Sequence, residues 1–160
     1  MSKWSHWVDT LSIKKSKDQY TWPGVYKIRL ADADGYPIEI GRLLGKDRKN
    51  RKDREGILAI GESKNIATRI NQFNRAQLEG KLVHSEGITL FLIRMTTKFS
   101  KGLCNDCRIQ FSAKKLKDKK EAEREEEEML KRYFMEYGEL PPLNRNMRDI
   151  RVSWLSLIGL

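Results

Sequence analysis

Runs of apolar residues, separated by polar turns, predict a small β-sheet in this chain. β-branched and aromatic residues in 25–30 and 38–44 favour two strands, and the polar turn at 32–37 between them predicts an antiparallel hairpin. The short apolar run 57–61 predicts a central strand. The nearly all-apolar run 88–95 predicts a further strand that is buried on both faces.

Apolar residues at helical spacing predict two helices beside this sheet. Ile66, Ile70 and Phe73 form one stripe, after a turn in which Ser63 is the candidate N-cap. The Lys- and Glu-rich stretch 113–137 has a strongly helical composition, with an apolar face formed by Leu130, Tyr133, Phe134 and Tyr137. The pattern predicts an α/β fold with a small mixed or antiparallel central sheet flanked by helices, in a single domain over 1–160.

The chain carries an excess of positive charge, which favours a polyanionic partner. It has 32 Lys and Arg against 22 Asp and Glu, a formal net charge of +10, so nucleic acid is the expected partner. We find neither a long apolar span nor the apolar core of a signal peptide, and the two cysteines give no support for a secreted disulfide scaffold. We therefore expect an intracellular, cytoplasmic protein that does not associate with membranes.

A basic insertion near 45–56 is the strongest local concentration of this charge. Its side chains can neutralise phosphates and make binding depend on salt, and we predict that nucleic acid contacts Lys46, Arg48, Lys49, Arg51 and Lys52. The alternative is a solvated loop that orders only on binding.

Two short motifs and three later residues occur in an order that suggests phosphoryl chemistry. They are Gly24-Val25-Tyr26, Ala59-Ile60-Gly61, Arg69, a glutamate within 121–128, and Asn144. A phenol can orient water, a guanidinium can bind a phosphate oxygen, and a carboxylate can bind a hard cation. This ordered set resembles the GIY-YIG nuclease family over roughly 23–144.

The resemblance implies a nuclease that hydrolyses nucleic-acid phosphodiester bonds with one divalent metal, Mg²⁺ or Mn²⁺. It implies that Tyr26 acts on the water, Arg69 on the phosphate and Asn144 in support of the site. Among the competing glutamates we select Glu126 as the metal ligand, because it precedes Leu130 and Tyr133 by four and seven residues and so shares their face. Glu127 is nearly as well placed. Ordinary alternatives are packing for the tyrosine, a turn role for the asparagine and solvent exposure for the arginine.

Two positions differ from the family's pattern. Ala59 stands where the second motif begins with tyrosine, and Phe73 stands where a tyrosine or histidine often follows the arginine by one helical turn. Both differences remove a proton-transfer group. Either Tyr26 does that work, or Tyr36 or a lysine of the 46–52 loop enters the site, or catalysis is lost.

The sequence thus predicts a metal-dependent endonuclease with double-stranded DNA as its preferred substrate. The alternative from another class is a catalytically inactive nucleic-acid-binding module with the same fold. Cys104 and Cys107 have the spacing of half a zinc site, which His6 and His84 would have to complete, so a zinc-dependent interaction domain is a third interpretation.

Overall fold

A four-stranded antiparallel sheet is the centre of the fold. The computed structural model describes residues 2–39, 53–95 and 106–144, and within them the strand order is β1-β4-β2-β3. The strands are β1 Val8–Asp9, β2 Gly24–Ala31, β3 Ile57–Ser63 and β4 Arg108–Lys115. All the pairings are antiparallel. The predicted fold class is confirmed, in its antiparallel form.

The described residues contain four α-helices, two of which pack on one face of the sheet. A short helical segment connects β1 to β2 and includes α1, Ile13–Ser16. Helices α2, Ile66–Glu79, and α3, Ser85–Met95, contact each other. The strand residues that alternate onto this face are Tyr26, Ile28 and Leu30, and they form one core cluster with apolar residues of both helices.

Helix α4, Lys119–Tyr137, packs on the opposite face. Asp118 caps it by accepting a 2.8 Å hydrogen bond from the Glu121 amide, so the helix begins six residues later than the predicted start at 113. Tyr133 is buried as predicted, but Phe134 is 52 % exposed and does not belong to the apolar face. Within the described residues, no helix combines the length and apolarity needed to cross a membrane.

The predicted strand at 88–95 is wrong, because this run lies in α3. A short apolar run does not distinguish a buried strand from a helix. Its buried members, Leu90 and Ile93, are three residues apart, which is the spacing of one helical face. The run packs against α2 rather than inside the sheet.

The strand partners also differ from the prediction. The described part of the predicted second strand, Ile38 and Glu39, is not a strand, and residues 40–44 lie outside the described residues. Strand β2 instead pairs with β3 and with β4, which was not predicted from the polar stretch 96–112. Strand β3 lies at one end of the strand order, not at its centre.

The apolar character of β3 has a structural reason, because the chain near Leu143 covers its outer edge. The Leu143 amide donates to the Leu58 carbonyl at 2.9 Å. Both Leu58 and Leu143 are buried. An edge strand that is covered in this way can be as apolar as a central one.

The N-cap of helix α2 also differs from the prediction. The side chain of Asn65, just before the helix, accepts from the Thr68 amide at 3.0 Å, so Asn65 is the N-cap instead of Ser63.

Candidate active site

Tyr26 lies near the start of β2, directly opposite Gly61 of β3. Its ring crosses the neighbouring strand so closely that a Cβ atom at position 61 would lie 2.4 Å from both Cζ and the phenol oxygen. Only glycine leaves room for the phenol. The glycine of the second motif therefore sets the position of the tyrosine of the first.

The phenol of Tyr26 has two polar neighbours. Its oxygen lies 3.2 Å from Nε2 of His84, in hydrogen-bond contact. Burial raises the pKa of Tyr26 well above its usual range, Glu86 raises it further, and the charge and hydrogen bond of Arg69 lower it. The guanidinium is thus the group that opposes burial and favours the ionised phenol.

Arg69 occupies the first turn of α2, is half-buried, and acts on four titratable groups of this site. Its charge lowers the pKa of Tyr26, His84, Glu62 and Glu126. Its hydrogen bond to the neighbouring glutamine of its own helix, from Nη1 to Gln72 Oε1, is long at 3.5 Å. A guanidinium held this loosely within a carboxylate-rich group remains able to bind a phosphate oxygen.

Glu126 of α4 belongs to the same group. Burial, followed by the charges of Glu62 and Glu86, raises the pKa of its carboxyl to about 7, against a smaller lowering by Arg69. Glu127, the close alternative, is exposed and forms a 2.7 Å ion pair with Lys131. Of the two glutamates, the structure places Glu126 beside Arg69 and Glu127 in solvent.

Glu62 is a member of this group that sequence reasoning missed. One of its oxygens, Oε2, is buried and has no hydrogen-bond partner, and burial raises the pKa of the carboxyl. The available signal was its position two residues after Ile60, because alternate strand residues share a face and Ile60 faces α4.

The carboxylates fit a hard divalent cation. An unpartnered carboxylate oxygen on Glu62 and a raised pKa on Glu126 are both signs of negative charge without a counter-charge. Within the described residues, no group of three or more His, Cys, Asp or Glu side chains is arranged to hold a metal ion. The set suits Mg²⁺, which uses one or two carboxylates and fills its other positions with water and substrate phosphate.

Asn144 contacts the motif strand, not the charged group. Its side-chain oxygen accepts from the Ile60 amide and its side-chain nitrogen donates to the Ile60 carbonyl, both at 2.7 Å. Among the described strands, β3 pairs only with β2, and these two bonds give the main chain of β3 a further partner. The structure therefore brings together Tyr26, Arg69 and Glu126, and attaches Asn144 to the strand between Ala59 and Gly61.

The two positions that differ from the family's pattern are both filled by apolar packing. Ala59 and Phe73 are buried in the core cluster that contains Tyr26. Tyr36, one alternative source of a proton-transfer group, lies beyond the far end of β2 and is 70 % exposed. Five residues of strand, about 17 Å, separate that end from Tyr26. Its position does not support a role beside Tyr26.

His84 and Glu86 fill the space beside Tyr26, and sequence reasoning gave neither of them a role there. His84 is 3 % exposed, and its Nδ1 lies 3.0 Å from Glu86 Oε2. The only sequence signal is a His and a Glu two residues apart at the start of a helix, which is weak.

The remaining candidates fall elsewhere. For the zinc hypothesis, both ring nitrogens of His84 have contacts inside the site, which leaves neither for a metal ion. His6 is exposed, and Cys104 lies outside the described residues. The basic set Lys46, Arg48, Lys49, Arg51 and Lys52 also lies outside them.

A separate groove of about 290 Å³ lies between the N-terminal segment and α4. Its lining includes Trp4, Glu125 and Tyr133, but not Tyr26, Arg69 or Glu126. The groove carries cations and phenols of its own, Lys27, Arg132 and Tyr133 among them, but none of the side chains predicted for catalysis or metal binding. The predicted site residues therefore lie outside this groove.

Comparison with known proteins agrees with the motifs. The family model for GIY-YIG domain-containing proteins matches residues 5–151, which is most of the chain. Searches of curated proteins and of solved structures gave no match. The matched span includes both motif strands and all four predicted site residues, Tyr26, Arg69, Glu126 and Asn144. The chain belongs to the GIY-YIG domain family.

Proposed function

We propose that this protein is a metal-dependent endonuclease that hydrolyses phosphodiester bonds in DNA. Family membership supports a nuclease-type enzyme acting on nucleic acid, with a divalent metal. The observation that carries the proposal is the position of Tyr26 against Gly61 of the second motif, with Arg69 and Glu126 near enough for their charges to act on its phenol. A phenol, a guanidinium and a carboxylate that share one neighbourhood provide the parts that phosphodiester hydrolysis needs.

Each side chain has a task that follows from its chemistry. Arg69 binds a non-bridging phosphate oxygen and offsets the negative charge that develops there. Tyr26 orients the attacking water through its phenol oxygen. Glu126, with Glu62 beside it, would hold the divalent cation. When bound, the cation supplies Lewis-acid stabilisation of the phosphate and the leaving oxygen.

Double-stranded DNA is the substrate we propose, and the net charge of +10 supports a polyanion of this kind. Lys46, Arg48, Lys49, Arg51 and Lys52 are proposed to contact its backbone. Such contacts position the duplex without reading its sequence.

A plasmid-cleavage assay with Mg²⁺ or Mn²⁺ tests the function against matched controls. Arg69→Ala is compared with Arg75→Ala, because Arg75 is an exposed arginine of the same helix. Glu126→Gln is compared with Glu127→Gln, the solvent-exposed neighbour. We expect the two site variants to lose about 10²- to 10³-fold in single-turnover rate, and the two controls to cut normally.

The competing function is a binding module without catalysis, and two observations favour testing it. Tyr26 is only 1 % exposed, and positions 59 and 73 carry no proton-transfer group. This function predicts salt-dependent binding to duplex DNA without cleavage under any of the metals. Cleavage that survives unchanged in both Arg69→Ala and Glu126→Gln would refute our proposal, since the activity would then arise elsewhere.

A further inference from the structure

We propose that His84, held in place by Glu86, accepts the phenol proton of Tyr26 and so supplies the proton-transfer function that Ala59 and Phe73 lack. This inference rests on the proposed nuclease function and goes beyond it. It makes His84 a positioning and proton-accepting residue that acts through Tyr26. Its basis is a continuous chain of contacts: the phenol oxygen to Nε2 at 3.2 Å, and Nδ1 to Glu86 Oε2 at 3.0 Å.

The chemistry of the Glu86 carboxylate fixes which nitrogen of the His84 ring carries the proton. An ionised carboxylate can only accept hydrogen bonds, so Nδ1 must be the donor to Glu86. The Gly87 amide also approaches Nδ1, at 3.4 Å, and would require the opposite role. We assign the shorter, charge-assisted contact. Nε2 then has a free lone pair directed at Tyr26.

Glu86 is ionised in this arrangement. Burial of its carboxyl acts in the opposite direction, but hydrogen bonds from His84 and Ser85 lower the pKa of Glu86, which falls to about 2 when the charge of a protonated His84 is added. With His84 neutral, the two hydrogen bonds still lower that pKa. The Ser85 hydroxyl donates to Oε2 at 2.7 Å. The carboxylate thus remains charged at neutral pH and orients the imidazole.

The tautomer of His84 determines the direction in which the phenol donates. Nε2 carries no proton in this arrangement and can only accept, so the phenol O–H donates to it across the 3.2 Å contact. Burial raises the pKa of Tyr26, and the charge of Arg69 lowers it and so favours release of that proton. Burial lowers the pKa of His84, with Glu86 opposing that effect and Arg69 adding to it, so the resting imidazole is neutral and able to accept.

Packing holds the imidazole beside the phenol. The ring of Phe73 meets it edge-on, with 5.3 Å between ring centroids. The His84 carbonyl accepts from the Ile88 amide at 3.0 Å, which anchors the residue to the first turn of α3. Phe73 of α2 therefore packs against the imidazole of His84, which lies just before α3.

The proton transfer conserves charge. The phenol proton moves from the Tyr26 oxygen to Nε2, which leaves a phenolate beside Arg69 and an imidazolium beside Glu86. The phenolate takes a proton from the attacking water while that water's oxygen bonds to phosphorus and the bond from phosphorus to the leaving oxygen breaks. The leaving oxygen takes a proton from solvent, and the imidazolium returns its proton to the hydroxide so formed.

Nitrogen-15 NMR of the ring nitrogens tests the arrangement in the unmodified protein. The chain has two histidines, and the exposed His6 is a built-in reference. We expect His84 to carry its proton on Nδ1 at neutral pH. Tyr26→Phe should shift the Nε2 signal of His84 and leave His6 unchanged. A proton on Nε2, or no response to Tyr26→Phe, would overturn the proposal without any reference to activity.

Single-turnover cleavage tests the chemistry. We expect His84→Gln to retain a polar contact with Tyr26 yet lose about 10²- to 10⁴-fold in rate, and His6→Gln to cut normally. The groups facing His84 are Tyr26, Arg69 and Glu86. In wild type the rate should fall at acid pH as the imidazole of His84 and the carboxylate of Glu126 become protonated. His84→Gln should lose the part of that limb that the imidazole contributes and keep the part that Glu126 contributes.

Glu86→Gln tests the orienting carboxylate. This variant should slow cleavage, because the imidazole loses the negative charge that stabilises its protonated form. Since Glu86 raises the pKa of His84, its removal should also move the acid limb to lower pH. A Glu86→Gln protein with the rate and the pH profile of wild type would overturn the role of Glu86.

The outcomes separate the two proposals. A wild-type protein that cuts DNA, together with an unchanged rate and pH profile in His84→Gln, overturns the relay alone. A wild-type protein that binds but never cuts overturns the nuclease function, and the relay with it. If His84→Gln does not fold, the NMR measurement on wild type and the Glu86→Gln rate still decide the question.

Discussion

Tyr26 and Gly61 face each other across β2 and β3, and the phenol fills the space that any side chain at position 61 would need. The strand register fixes this pair, since the two residues are direct partners in the antiparallel ladder. The Tyr26 phenol can lie where it does because Gly61 has no Cβ atom.

Replacing Gly61 with Ala should therefore displace Tyr26. The added Cβ would lie 2.4 Å from the phenol oxygen and from Cζ, well inside contact distance, so the ring must move and its contact with His84 is disturbed. We expect a loss of roughly 1–3 kcal/mol in the free energy of unfolding, typical of overpacking, and a larger proportional loss of cleavage. Urea unfolding and single-turnover rates measure the two effects. A folded Gly61→Ala protein that cuts at the normal rate would contradict this role of the pair.

Asn144 should matter for stability more than for chemistry. Its amide makes two 2.7 Å bonds to the main chain of Ile60, so Asn144→Ala leaves one donor and one acceptor of β3 without partners. We expect a loss of about 1–3 kcal/mol in stability. Per folded molecule, the cleavage rate should fall by less than that of Arg69→Ala. If Asn144→Ala were fully stable yet inactive, Asn144 would have a direct role in catalysis.

A buried carboxylate, Asp53, joins the loop before β3 to α4. Asp53 is fully buried, and its Oδ2 accepts from the Tyr133 hydroxyl at 2.6 Å and from the Ile57 amide at 3.1 Å. We expect Tyr133→Phe to cost about 1–2 kcal/mol, because it leaves a charged acceptor partly unpaired. Asp53→Ala should cost more, since it also removes the bonds to the Ile57 and Glu55 amides. Equal stabilities of the two variants in thermal unfolding would count against this.

The parts of the fold that local pattern determines could be predicted from the sequence. Strands β2 and β3 and helix α2 follow from periodicity and turn residues, and all three are present. The choice of Glu126 over Glu127 as the metal ligand used only the spacing to Leu130 and Tyr133 and stays a prediction, although that spacing does separate the half-buried Glu126 from the exposed Glu127. Such features depend on neighbours within two turns of a helix or along one strand.

The parts that depend on distant partners could not be predicted. The run in α3 is apolar on more than one side, so its composition suits a strand or a helix, and only packing against α2 decides. Strand β4 follows a polar stretch, and its pairing with β2 joins residues far apart in sequence. The contact between Tyr26 and His84 spans 58 positions, and no local pattern encodes it.

The basic insertion should contribute to binding through charge alone. Changing Lys46, Arg48, Lys49, Arg51 and Lys52 to Gln should reduce the slope of log binding constant against log salt by up to about 4.5, or roughly 0.9 for each phosphate that the variant no longer neutralises. Affinity should fall for all duplex sequences alike. The control changes Lys14, Lys15 and Lys17 to Gln, which are exposed on α1 and just after it. A slope that falls equally in the control would assign the effect to net charge and not to the insertion.

Glu126 should make stability depend on pH near neutrality. Its folded pKa of about 7, raised by burial and then by Glu62 and Glu86, lies above its ordinary value of 4.5. A carboxyl with a raised pKa favours the folded state fully below the ordinary value, and that contribution is lost as pH rises through about 7. A shift of this size corresponds to about 3 kcal/mol, of which we expect roughly 1–2 because the carboxylate is partly exposed.

Unfolding of the metal-free protein in EDTA between pH 5 and 8 measures this dependence. Wild type should lose stability as pH rises, and Glu126→Gln should show a shallower dependence because it has no proton to release. Some slope should remain in that variant, since burial also raises the pKa of Glu62. Glu127→Gln, which alters the exposed neighbour, should follow wild type. Adding Mg²⁺ at pH 8 should restore stability to wild type but not to Glu126→Gln, because the cation supplies the positive charge that the buried carboxylates lack. Identical pH curves for wild type and Glu126→Gln would show that the carboxyl of Glu126 is not the group with the raised pKa and would remove the reason for placing the metal there.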